Sequence, residues 1–198
     1  MSPTRKITVT TTAALLGCLS FAVAGAAQGV RQGYRSDAPS MRFAWQWSAT
    51  PEQQHAVCEG FASLDSIEVL HCRGNELNFR VRPGQQVRLS ELNAKIQAVV
   101  PEARITLRGT GVLGTFELEM RESFDPSQDG AFREAIASRR SVASVENPAP
   151  RHFKVTPRDG QMFVMGQLLQ LYVRALHHRG RVQLQDIVED VVFYGPES

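Results

Sequence analysis

Hydrophobic and polar positions fall into short periodic blocks along this chain. Phe43-Ala44-Trp45-Gln46-Trp47 alternates apolar residues with smaller or polar ones, the period of a half-buried strand. Thr50-Pro51-Glu52-Gln53 follows, with an N-cap, a proline suited to the first helical position and a glutamine that completes a capping box. Val57, Phe61 and Leu64 then recur at i, i+4 and i+7, which predicts a helix with one buried stripe. The β-branched run Ile67 to Cys72 predicts a second strand, and Arg73-Gly74-Asn75 a turn. Leu77, Phe79 and Val81 alternate with Asn78, Arg80 and Arg82, so the third strand has one core face and one wet face. Pro83-Gly84 breaks that strand. Leu89, Leu92, Ile96 and Val99 have helical spacing, with Glu91 and Lys95 four apart in the favourable order. Pro101 stops the helix, and Ala103 to Arg108 is a fourth strand. The order is βαββαβ, the split βαβ unit.

After Gly109 to Gly114, a glycine-punctuated link, the pattern repeats. Thr115 to Met120 alternates as a strand. Asp125-Pro126-Ser127-Gln128 reproduces the cap, the proline and the glutamine at an offset of 75, and Phe132 and Ile136 match Val57 and Phe61 at the same offset. Phe153 and Val155 belong to a strand, Met165, Leu168 and Tyr172 match Leu89, Leu92 and Ile96 at an offset of 76, and a last strand lies within Val182 to Tyr194. The expected fold class is α+β: two tandem ferredoxin-like (βαββαβ) domains over 43–108 and 115–198, joined by the linker 109–114. One larger α+β domain without duplication is the alternative.

The N-terminus changes the picture of compartment and charge. Arg5 and Lys6 precede an apolar run to Ala24 and the small-residue stretch Ala22 to Ala27, the pattern of a signal peptide over residues 1–27. Leu15-Leu16-Gly17-Cys18 also resembles a bacterial lipobox, so a lipid on Cys18 is an alternative anchor. Residues 28–42 are polar and read as a flexible tether. The formal net charge of +2 belongs to Arg5 and Lys6, so the mature chain is neutral. An exported, neutral protein is expected to be periplasmic or secreted, and nucleic-acid binding is not expected. Contact with the membrane is expected only through the signal peptide or a lipid on Cys18.

Leu64-x-x-Ile67, then Glu76-Leu77-Asn78-Phe79-Arg80-Val81-Arg82-Pro83-Gly84, then Val87-x-Leu89-x-x-Leu92-x-x-Lys95-Ile96 carry a family pattern. With them, residues 43–108 resemble the heavy-metal-associated domain of metallochaperones and copper-transport ATPases. The resemblance implies the ferredoxin-like fold. In that family the loop after the first strand holds Cu(I) or Zn(II) on a Cys-x-x-Cys pair, because paired thiolates suit soft cations. Ser48 to Gln54 here has no cysteine, nor has Ser123 to Gln128 in the second copy. No cofactor is therefore expected, with copper or zinc on other ligands as the alternative. The ligand set considered for that alternative is His55, His71 and Cys72, at the pole where the family holds its metal. A Cys58–Cys72 disulfide is not expected: seven helical residues from Asp65 rise about 10 Å and seven strand residues about 23 Å, while the bond needs Cα atoms within about 7 Å.

Other features have ordinary readings. Met162 and Met165 fit core packing in a helix that spans MFVMGQLLQLYVRAL, and His177-His178 complement that helix's C-terminal dipole. Arg80, Arg82, Arg104 and Arg108 all face away from the core and form a candidate docking face for an acidic partner or for the second copy. G-x-S-x-G, H-E-x-x-H and phosphate-loop patterns are absent from the sequence. The expected function is a non-catalytic, exported binding or adaptor protein with a protein partner, not an enzyme. The alternative is a periplasmic heavy-metal-binding protein using non-standard ligands.

Overall fold

The alternating blocks form strands, and the blocks with period near 3.6 form helices. A computed structural model describes residues 40–45, 49–176 and 182–197. The expected signal peptide, Cys18, most of the tether, and His177-His178 lie outside the described residues.

The first strand, β1 (Met41–Trp45), begins inside the stretch read as tether. Helix α1 (Pro51–Ala62) opens on the predicted capping box: the Thr50 hydroxyl accepts from the Gln53 N–H, and the Gln53 side chain accepts from the Thr50 N–H. Strands β2 (Ile67–Arg73) and β3 (Glu76–Val81) form a hairpin around Gly74, whose φ of 58° suits glycine. Then comes a short strand the sequence reading missed, β4 (Gln86–Arg88), ahead of α2 (Leu89–Gln97). Strand β5 (Ile105–Val112) is longer than predicted and runs through the glycines read as a link. It is followed by β6 (Phe116–Met120), a 3-10 turn at Pro126–Gln128 and α3 (Asp129–Ala137). Strands β7 (Val142–Glu146) and β8 (His152–Pro157) pair next. A second missed strand, β9 (Phe163–Val164), precedes α4 (Gly166–Ala175), so Met162 and Met165 stand before the helix rather than within it. A one-turn helix α5 (Leu184–Ile187) leads into β10 (Val188–Tyr194).

The fold is α+β with two five-stranded antiparallel sheets, ordered β2-β3-β1-β5-β9 and β4-β10-β6-β8-β7. The fifth strand of each sheet comes from the other half of the chain. β9 joins the edge of β5, with Val112 opposite Phe163, and β4 joins the edge of β10, with Val87 opposite Phe193. Aromatic rings follow the same exchange. Phe193 of β10 meets Phe43 and Phe79 of the other sheet edge-on, at 5.5 and 6.3 Å between centroids, and Phe163 of β9 lies 5.2 Å from Phe116 of β6. A further cluster, Phe124, Phe132, Phe153 and Tyr172, fills the space under α3 and α4. The buried apolar residues of both sheets belong to one continuous core.

Cys58 and Cys72 form a disulfide with Cα atoms 5.8 Å apart, which corrects the expectation from chain arithmetic. Helix and strand do not start at one level. The link Ser63 to Ser66 is made of turns, with the Leu64 N–H bonded to the Phe61 carbonyl and the Ile67 N–H to the Leu64 carbonyl, so Asp65 is not a single point from which both elements rise. The bulge at Leu70, where the register slips between Val69 and His71, also removes one residue of rise. Cys72 thus comes level with Cys58.

Candidate functional site

The residues singled out in the sequence do not converge. His71 and Cys72 are neighbours on β2, and successive strand residues point to opposite faces. Cys72 points to α1, where it is bonded to Cys58, so neither of these two thiols is free while that bond holds. His71 therefore points to the other face of the sheet. His55 is on the exposed side of α1, 3.3 Å from Glu59 one turn on. No single ion can be shared by His55, His71 and Cys72 in this arrangement. The loop ahead of α1 does not fit the soft cation that the family resemblance implies, since it offers only hydroxyl, amide and carboxylate oxygens, and Thr50 and Gln53 are committed to the cap.

The four arginines do face away from the core, yet they are not one surface. Phe79 pairs with Met41, so Arg80 and Arg82 lie beyond the start of β1; Ile105 pairs with Trp45, so Arg104 lies beyond its end. Arg80 is paired across the strand with Glu68 at 3.3 Å, and Arg82 donates from Nε to the Ile67 carbonyl. Arg104 and Arg108 instead line a cleft of about 1250 Å³ where α2, β5, α4 and α5 meet. Arg121 shares that cleft, donating from Nε to the Gln185 carbonyl at 2.8 Å. Asn93, Gln167 and Gln170 add amides to the lining. Val164 of the exchanged strand β9 is also in the wall, and among the described residues it is the large apolar side chain left exposed.

A second polar group lies on the outer face of the other sheet. β6 reads Phe-Glu-Leu-Glu-Met, so strand alternation buries Phe116, Leu118 and Met120 and turns Glu117 and Glu119 outward. On β8, His152 stands opposite Glu119 and Lys154 opposite Glu117. The His152 Nδ1 is 2.8 Å from Glu117 Oε1, and the Tyr194 hydroxyl donates to Glu117 Oε2 at 2.7 Å. Asp190 stands opposite Glu119 on β10, a like-charge pair that a sheet disfavours. Arg88 resolves it from the exchanged strand β4. Its guanidinium holds both oxygens of Glu119, each at 2.9 Å, and reaches Asp190 at 3.3 Å. Ser90 donates to Asp190 from its hydroxyl at 2.6 Å and from its N–H at 3.1 Å.

These contacts set the electrostatics. Burial alone would raise the Glu117 carboxyl, but hydrogen bonds from Tyr194 and His152, with the nearby charges of His152 and Lys154, together hold it below the usual carboxylate range. Burial pushes the Tyr194 phenol up to about 12, helped by its bond to Glu117 and by that carboxylate's charge. The hydrogen bond to Glu119 keeps the Arg88 guanidinium more firmly protonated than usual. The sequence reading named none of Glu117, Glu119, His152, Arg88 or Asp190. The two glutamates were legible as one face of an alternating strand, but their partners depend on cross-strand register and on the unforeseen β4.

No protein-family model, curated protein or solved structure matches this chain.

Proposed function

We propose that this protein is an exported, non-catalytic adaptor whose two halves are ferredoxin-like units related to heavy-metal-associated domains. The strand orders β5-β1-β3-β2 and β10-β6-β8-β7 support that reading, since each follows the 4-1-3-2 order of a split βαβ unit. Internal duplication accounts for the matching positions of β4 and β9, each lying between the third core strand and the second helix of its half. The Cys58–Cys72 disulfide supports export, because such bonds persist in oxidising compartments. No helix among the described residues is long and apolar enough to cross a membrane.

One observation carries the functional reading: a cleft in which Arg104, Arg108 and Arg121 outnumber the lining carboxylates Asp186 and Glu189, with amides and an exposed valine beside them. Guanidiniums take carboxylates in two parallel bonds, amides pair with peptide groups, and Val164 offers an apolar contact. This chemistry fits an extended acidic polypeptide of a partner protein. The test is fluorescence anisotropy with labelled extended peptides of graded acidity. Binding should strengthen with peptide acidity, weaken at least tenfold in the Arg104→Glu/Arg108→Glu protein, and survive Arg80→Glu. Binding that ignores the charge reversal, or no binding by any acidic peptide, would overturn the reading.

A further inference from the structure

We propose that Glu117, Glu119 and His152 form a site for a borderline divalent cation, with Zn²⁺ as the representative ion, on the outer face of the second sheet. The cleft described above plays no part in it.

Each of the three residues offers one ligand atom, and the three atoms lie within 4.8 Å of one another. The donor set is mixed, one imidazole nitrogen with two carboxylate oxygens, and both kinds are common on zinc. The 2.8 Å separation of His152 Nδ1 from Glu117 Oε1 needs to open only slightly. A tetrahedral ion with bonds of about 2.0–2.1 Å has ligands roughly 3.3 Å apart. An ion bound there replaces the direct contact between imidazole and carboxylate. The donors come from two paired strands of one sheet, so their spacing is held by backbone hydrogen bonds rather than by a loop. The side chains are 15% exposed at Glu117, 20% at Glu119 and 36% at His152, which holds them in place yet leaves a way in from solvent.

Two neighbours fit the same assignment. The Tyr194 hydroxyl grips the second oxygen of Glu117, the outer hydrogen bond that orients a metal-ligating carboxylate. Arg88 is a resident cation on Glu119, but it already touches a second carboxylate, Asp190. When an ion takes Glu119, the guanidinium keeps Asp190, so its charge is not stranded. Three protein ligands leave a fourth position open to water or to a donor from another molecule.

The experiment titrates metal-stripped protein with ZnCl₂ by calorimetry in a non-chelating buffer. One equivalent should bind. His152→Ala and Glu119→Gln should each weaken binding at least tenfold, while His55→Ala and His71→Ala leave it unchanged. Arg88→Gln should tighten binding severalfold, because the competing guanidinium is gone. A destabilised variant would not decide the matter by itself, so the unmutated protein is also followed by NMR of its imidazole nitrogens. The His152 ring should shift in step with zinc uptake. Absence of zinc binding, binding indifferent to His152→Ala, or ring shifts confined to other histidines would each overturn the site. Binding unchanged or weakened in Arg88→Gln would overturn the role given to that arginine.

Discussion

At the scale of single residues, the sharpest local signals are the two caps that open α1 and the 3-10 turn before α3. Thr50 and Gln53 form the capping box that their spacing predicts. Asp125 occupies the equivalent place in the second half, but its carboxylate accepts from the Ser127 N–H and caps a 3-10 turn, not a helix. Each of these first turns holds an ionised acid. Glu52 is held below its usual range by its own backbone N–H and by the Thr50 side chain. The Ser127 backbone N–H and then its hydroxyl lower Asp125. A lowered carboxyl stabilises the fold above its unfolded pKa of about 4 and loses that contribution as pH falls through the folded value. Both first turns should therefore loosen on acidification below about pH 4, read as faster exchange of the Gln53 and Ser127 amides than of core amides. Gly166 is a different kind of residue signal. A Cβ there would lie 2.6 Å from the Arg108 carbonyl oxygen, where α4 begins against β5. Gly166→Ala should lower stability by about 1–3 kcal/mol, measured by urea denaturation.

Among the elements, the disulfide and the exchanged strands matter most. The bond closes a sequence separation of 14 residues between α1 and β2. Removing it as Cys58→Ala/Cys72→Ala should cost about 2–4 kcal/mol. Reducing agent should lower the melting temperature of the unmutated protein to that of the double variant and leave the double variant unmoved. β4 and β9 are only three and two residues long, too short to show a convincing period of two. In the sequence reading β4 fell in the short link between the Pro83-Gly84 break and the helix from Leu89, and β9 was absorbed into a helix. Their weight comes from contacts with the other half: Val87 is fully buried beside Phe193, and Arg88 bridges Glu119 and Asp190. Val87→Ala should cost about 1–3 kcal/mol, although Val87 sits at a sheet edge, and the loss should be seen in the stability of the whole described fold. A loss confined by hydrogen exchange to the second sheet, where β4 lies, would contradict the exchanged strand as a structural tie.

Over the whole molecule, these ties make each half depend on the other. Separated after Leu113, one half would lose the partner strand beside β5 and expose Phe43 and Phe79, and the other would expose Phe193. The expected outcome is that 36–113 and 114–198, made alone, show little cooperative unfolding and regain it when mixed. Two independently cooperative halves would show that the shared core is dispensable. The alternating and helical blocks in the sequence already determined the α+β class, most of the longer strands and helices, and the core stripes of α1, β3, α2, α3 and β8, because burial of one face imposes a period on the chain. Tertiary structure alone decided the rest. Whether Cys58 meets Cys72 depends on where β2 begins relative to α1. Whether Arg80 joins Arg104 depends on register along β1. Whether Glu119 meets Arg88 and His152 depends on which strand fills each sheet edge. All three are relations between segments distant in space or out of phase along the chain, and no local period encodes them.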